Sequence, residues 1–320
     1  MVIRPHIALL VRRQRERIRY LGRVDVTDSR RRTHLFRSME QLDLLRSATE
    51  MPCDGDRRVQ VHSDALYAPV FVLGAGWRSG STLLARLLST PRARLMWGEP
   101  YHYSDVLLAA RRIIESITDD WPPEEFIVSA HLDSLEGLSH TWIANLFPTP
   151  DDLIGALQDF YISLFGQPAV ELGFESWGVK EVHLSGLDAA ALHYLFPRAR
   201  FIFLVRNPVD AWQSYRAMGA SWRFTDRGAP VGGAIRFARM WTRQTNSFLD
   251  TSIENAIVVR YEDLVSEQAI ARIESFLDER IDRSAIEQRI GSSHFGRQRR
   301  FGNARVRLLT WRARRRLGYI

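Results

Sequence analysis

Arg78, Ser79, Gly80, Ser81 and Thr82 follow an apolar run, Val70 to Leu73, and precede Leu83-Leu84-Ala85-Arg86-Leu87-Leu88, whose apolar spacing is helical. A strand, a glycine-rich turn and a helix in that order aim backbone N–H groups and a helix N-terminus at one point, where a phosphate-like anion binds. The triphosphate signature G-x-x-x-x-G-K-[ST] is not met: Ser81 follows Gly80 where the lysine belongs, and Ala75 stands five residues before Gly80. The cation of this loop is Arg78. The segment therefore reads as an anion cradle of a different kind. Lysine is nearly missing from the chain, since Lys180 is the one lysine among 44 basic residues. A position that needs a compact ammonium with mobile donors, rather than a planar fork, would account for its retention.

The elements that must carry these residues alternate between strand and helix from Ala68 onward. Strands are expected at 69–73, 94–97, 178–182, 201–205 and 256–259. Phe201-Ile202-Phe203-Leu204-Val205 has the continuous apolar character of a strand buried on both faces of a parallel sheet. Helices are expected from Ser104 to Ile117, from Asp151-Asp152 through Phe165, from Leu187 to Phe196, after Pro208 to Met218, over 233–250, and near 266–278 and 283–290. The expected fold is a three-layer, P-loop-like α/β domain, with a central parallel sheet flanked by helices. Residues 66–320 would form it, with an Arg-rich C-terminal tail, and residues 1–65 a basic, partly helical N-terminal extension.

Ligands in such sheets sit at the carboxyl edge of the strands. The first strand delivers Arg78 to Thr82, the second Glu99, and the third Lys180 and His183. The fourth delivers Arg206, with Ser214 two turns into the next helix, and the fifth Arg260 and Tyr261. Cations, hydroxyls and a carboxylate thus converge on one edge.

Composition bounds the function classes. Hydrophobic content of 45% and charged content of 25% are those of a soluble globular protein. No apolar run approaches the ~20 residues that span a bilayer, and Ile7 to Val11 lacks the length and cleavage site of a signal peptide. The single Cys53 rules out an internal disulfide framework and a cysteine metal site. A cytoplasmic protein is the expectation, and a homodimer is compatible with it. The net charge of +7 sits mainly at Arg12 to Arg32 and Arg297 to Arg316. It reads as a solvated basic surface or as a funnel for an anionic cofactor or acceptor. No nucleic-acid module accompanies it.

With these residues in place, the chain resembles the sulfotransferases that use 3′-phosphoadenosine-5′-phosphosulfate (PAPS). Gly76-Trp77-Arg78-Ser79-Gly80-Ser81-Thr82-Leu83-Leu84 resembles their 5′-phosphosulfate loop. Val205-Arg206-Asn207-Pro208, with Ser214 eight residues past the arginine, is similar to their 3′-phosphate motif. Val259-Arg260-Tyr261-Glu262-Asp263-Leu264 resembles the segment whose tyrosine lies near adenine. The resemblance covers about residues 68–280, and Trp-Arg-Ser-Gly-Ser with Glu99-Pro100 is nearest to the carbohydrate O-sulfotransferase branch.

The resemblance implies an enzyme that moves a sulfonyl group from PAPS to an acceptor hydroxyl, leaving adenosine 3′,5′-bisphosphate (PAP), with no metal required. A carbohydrate or glycoconjugate is the expected acceptor. Arg78 and Lys180 would stabilise developing charge. Glu99 is preferred as general base because several branches carry a glutamate there. His183 is the other candidate, although the cytosolic branch has Lys-x-His and the spacing here is one longer, which reverses side-chain direction on a strand. His102 is a weaker one. Arg297, Arg299 and Arg300 are candidates for a basic loop near the 3′-phosphate. Trp121, Trp142, Trp177 and Trp222 either line an acceptor cleft or are ordinary core residues. Glu262-Asp263 reads as a helix N-terminus rather than a magnesium-binding pair. The alternatives are a P-loop kinase acting on a small molecule, and a nucleotide-binding protein without catalysis.

Overall fold

The computed structural model describes residues 63–89, 93–100, 105–118, 121–127, 146–218, 225–226, 229–281 and 300–320. Most of the expected extension over 1–65, the expected helix at 283–290, and His102, Trp142, Trp222, Arg297 and Arg299 lie outside the described residues. The chain divides into two compact units, Val61–Phe224 with Val231–Ile320, and Met1–Gln60 with Thr225–Pro230. The larger unit carries the sheet.

That sheet has five strands: β1 (Val70–Gly74), β2 (Arg94–Gly98), β3 (Ser176–Glu181), β4 (Arg200–Val205) and β7 (Ala256–Arg260). Their spatial order is β2-β3-β1-β4-β7, and every neighbouring pair is parallel. The chain leaves central β1 for the edge strand β2, returns through β3, then crosses to β4 on the other side. This reversal flanks β1, and in sheets of this kind ligands sit at the carboxyl ends of the strands at such a point. In the smaller unit, β5 (Thr225–Asp226) and β6 (Ala229–Pro230) form an antiparallel pair.

Both faces of the sheet are covered, which is why β1 and β4 read as unbroken apolar runs. Phe71, Leu73, Phe201, Phe203 and Val205 face one core, and Val70, Val72, Ile202 and Leu204 face the other. The first core is closed by α3 (Val106–Ile114), α4 (Pro150–Tyr161), α6 (Gly186–Leu195), α7 (Pro208–Ala217) and α8 (Ala234–Leu249). The second is closed by α2 (Ser81–Leu88) and α9 (Glu267–Leu277). Short helices α1 (Ser63–Leu66) and α5 (Gln167–Glu171) and a later pair, α10 (Arg300–Leu309) and α11 (Trp311–Arg316), complete the unit. The three-layer α/β architecture expected from the sequence is the one observed.

Helix boundaries differ in two places. The helix expected from Asp151 to Phe165 starts at Pro150, capped by Thr149 and Asp152 in a reciprocal capping box, and its α-helical part stops at Tyr161. A π-helical turn, Ile162–Gly166, follows. There Gly166 packs so closely on Leu66 and Trp177 that a Cβ would lie 3.1 Å from each. The helix expected from Ser104 to Ile117 occupies Val106–Ile114. Among the described residues no helix is long and apolar enough to cross a membrane.

Candidate active site

β1 ends at Gly74, and the chain turns through Ala75–Gly80 before α2 begins at Ser81. Three residues of this turn have positive φ: Gly76 at 82°, Arg78 at 65° and Gly80 at 94°. Gly80 caps α2 without a side chain of its own, and its carbonyl accepts from Leu83 and Leu84 N–H at 3.0 and 3.2 Å. Glycine is required at 80 for two independent reasons. Its φ belongs to the left-handed region, and a Cβ there would lie 2.0 Å from Cδ2 of Tyr261. Gly80→Ala is therefore expected to lower Tm and weaken anion binding at the loop, with a backbone cost of about 1–2 kcal/mol before the clash is counted. Thermal unfolding and calorimetry on the variant would check both; an unchanged Tm would mean that the loop does not hold this conformation.

Ser79 is buried, and its hydroxyl has no hydrogen-bond partner among the described residues. A buried, unpartnered hydroxyl in a turn that precedes a helix N-terminus suits an incoming anion.

Two guanidinium groups meet beside this turn. Arg78 Nε donates to Ser214 Oγ at 2.9 Å, and Arg206 Nη1 donates to the Arg78 carbonyl at 3.1 Å. The Arg206 guanidinium lies 4.4 Å from the centre of the Tyr261 ring, the same ring that abuts Gly80. Arg206 Nε is buried without a partner among the described residues. Burial, then the charge of Arg206, lowers the Arg78 pKa from its ordinary value. Two cations that repel one another beside unused donors are an arrangement whose repulsion an anion would relieve. Ser214 Oγ is bonded to Arg78, whose left-handed backbone goes with a side chain that reaches across to α7. Arg78 thereby joins the two halves that the sequence motifs separate.

The remaining edge residues sort differently. Asn207 Oδ1 caps α7 by accepting from Val209 N–H at 3.0 Å, and Asn207 N–H donates to Glu262 Oε1 at 2.7 Å. Arg260 forms a two-pronged pair with Asp263, at 2.7 and 2.9 Å. Glu262 thus serves the start of α7, and Asp263 engages the arginine that the fifth strand brings to the edge. Neither is arranged as a metal-binding pair, and among the described residues no cluster of His, Cys, Asp or Glu could hold a metal ion.

On the other side of β1, Lys180 is buried on the sheet face that carries α2, in register with Val72. Its Nζ donates to Glu99 Oε1, and Glu99 N–H donates to the Lys180 carbonyl at 2.7 Å. Glu99 follows β2 with φ of 44°. Among the described residues four non-glycines have positive φ, and Arg78 and Glu99 are two of them. Strained backbone of this kind collects at functional sites.

His183 belongs to a second arrangement. Its Nδ1 lies 2.8 Å from Glu181 Oε1, and the same oxygen accepts from Val182 N–H at 2.7 Å and His183 N–H at 3.3 Å. The Trp77 ring meets the imidazole edge-on at 4.8 Å. Glu181 is buried and was missed by sequence reasoning. The available signal was a carboxylate at the end of Trp-Gly-Val-Lys-Glu-Val, where a buried strand gives an acid no solvent.

With this geometry established, the segment from residue 69 to 283 matches a model of the sulfotransferase family. The chain belongs to the sulfotransferase family. The match contains every edge residue from Arg78 to Tyr261 and leaves α10 and α11 outside it. Among solved structures the sulfotransferase is similar to the sulfotransferase domain from the curacin biosynthetic pathway, with 16% identity and a TM-score of 0.46, over 79% of this chain and 98% of that one. It is similar also to the sulfotransferase domain of the Synechococcus PCC 7002 olefin synthase (18% identity, TM-score 0.43, 79% and 95% covered). A third is a sulfotransferase from Alicyclobacillus acidocaldarius (16%, 0.36, 76% and 96%). No curated protein matches the chain.

The sulfotransferase's candidate cleft tryptophans divide. Trp177 is 1% exposed, donates to the Leu66 carbonyl and stacks on Phe165, so it is a core residue. Trp121 is 46% exposed and packs edge-on against Phe126 and Phe147.

Proposed function

We propose that this sulfotransferase takes its sulfonyl group from PAPS and delivers it to a hydroxyl of a carbohydrate or glycoconjugate, as in the carbohydrate O-sulfotransferase branch. The observation that carries the reading is the pair of guanidiniums, Arg78 and Arg206, beside the unpartnered Ser79 Oγ and Arg206 Nε. A bisphosphorylated nucleotide needs two anion sites, and these residues fit that demand. When bound, PAPS supplies a sulfonyl group activated by its phosphate leaving group.

The chain's own residues then have distinct tasks. Arg78, Ser79, Gly80, Ser81 and Thr82 hold the 5′ end, Arg206 and Ser214 hold the 3′-phosphate, and the Tyr261 ring lies beside adenine. Lys180 keeps a mobile ammonium at the Glu99 carboxylate. Glu99 takes the acceptor hydroxyl's proton on a carboxylate oxygen. His183, oriented by Glu181, is the alternative proton acceptor. Positioning and fixed charge supply the remainder of the rate. Trp121 offers an exposed aromatic face of the kind on which sugars stack.

Calorimetry tests the donor. PAP is expected to bind tightly without magnesium. Magnesium-dependent ATP binding with no affinity for the bisphosphate would replace this reading with a kinase.

A further inference from the structure

Residues 300–320 lie beyond the segment matched to the family. Their inner side is seated on α8. Val306, Thr310 and Ala313 are fully buried, Thr242 Oγ1 donates to the Leu309 carbonyl at 3.4 Å, and Arg316 pairs with Asp250 at 2.7 Å. The outer side is unlike an ordinary helix surface. Leu308 is 78% exposed, Ile320 54% and Trp311 49%. Ala304, Leu308 and Trp311 follow one another at helical spacing. With Ile320, Arg307 and Arg314 they line an open groove of about 780 Å³. The Arg315 guanidinium lies 5.8 Å from the centre of the Trp311 ring.

Charge accompanies this stripe on its flanks. From 291 to 320 the sequence holds nine arginines and neither aspartate nor glutamate. Arg305, Arg307, Arg312 and Arg315 are exposed. We propose that this helix pair is an interfacial anchor that seats the protein on an anionic lipid surface. Leu308, Trp311 and Ile320 enter the boundary between headgroups and acyl chains, and the arginines lay their stems along the apolar stripe and their heads at lipid phosphates. An exposed apolar stripe rimmed by cations of one sign is complementary to that boundary. Single-stranded RNA calls for a row of exposed aromatics, whereas Tyr319 is tied to Glu262 at 2.7 Å and leaves Trp311 to stand for the row.

Co-sedimentation of the full chain with vesicles tests the anchor. In about 0.1 M salt, binding to equal parts phosphatidylglycerol and phosphatidylcholine is expected to exceed binding to pure phosphatidylcholine by about tenfold or more. The Leu308→Glu/Trp311→Glu double variant is expected to lose about tenfold or more of that binding while the protein stays folded by circular dichroism, since Leu308 is 78% and Trp311 49% exposed. Arg312→Gln/Arg315→Gln should narrow the preference for anionic vesicles and spare the fold. Equal binding to neutral vesicles, undiminished binding by the Leu308→Glu/Trp311→Glu variant, or tighter binding to a short single-stranded RNA than to the anionic vesicles would overturn the proposal.

Discussion

Glu99→Gln is expected to lower kcat by about 10²-fold or more, at least about 2.7 kcal/mol of barrier, with PAP affinity largely kept. Glutamine preserves the shape of the side chain and an oxygen that can accept from Lys180 Nζ, but it cannot take a proton from the acceptor. The backbone cost of φ at 44° is the same for both residues, while the buried Lys180 ammonium loses its charge partner, so a lower Tm is expected beside the loss of rate. Nucleotide affinity should survive because the contacts among Arg78, Ser214 and Arg206 use no atom of Glu99. Single-turnover kinetics beside calorimetry would separate the two effects. If His183→Ala abolishes turnover and Glu99→Gln does not, the base is the imidazole that Glu181 holds by Nδ1.

The second large effect concerns the cradle. Arg206→Ala is expected to weaken PAP binding by about 10- to 100-fold, because a hydrogen bond to a charged group contributes about 1.5–3 kcal/mol. The loss includes the contact with Tyr261, about 0.5–1 kcal/mol where the pair is partly exposed. Free protein should respond in the opposite sense, or hardly at all. Removing Arg206 relieves the repulsion that contributes to lowering the Arg78 pKa, so Tm is not expected to fall in step with affinity. Arg78→Ala should also weaken binding, and the double variant should fall short of the sum of the two losses, since the two guanidiniums act on one another: burial first, then the charge of Arg206, lowers the Arg78 pKa. Coupling of about 0.5–3 kcal/mol is the expected size for residues in contact. Strict additivity would mean that the two guanidiniums do not act on one another and that Arg78 does not join the two anion sites.

Much of this fold was legible because its strongest signals are local. The runs at 70–74 and 200–205 are apolar at every position that a doubly covered strand buries, and the parallel sheet follows from the helices between them. The glycines of the turn were legible too, as residues that permit positive φ. The stop of α4 at Tyr161 was not, because the π-turn after it answers to the packing of Gly166 on Leu66 and Trp177. Trp177 shows the same limit. Tryptophan types could not distinguish a cleft residue from a core residue until Phe71 and Phe165 were found against its ring.

By itself the sequence determined which strands are buried on both faces and which residue types arrive at their carboxyl ends, since periodicity and composition are properties of short segments. Only the tertiary structure decided which of those residues touch. Arg78 reaches Ser214 across 136 positions because its backbone is left-handed, and Glu181 holds His183 because the chain bends as it leaves β3. Those contacts depend on backbone angles and on the lateral order β2-β3-β1-β4-β7. Residue types constrain both without specifying them, and so the parts of the cradle could be read from the sequence while its wiring could not.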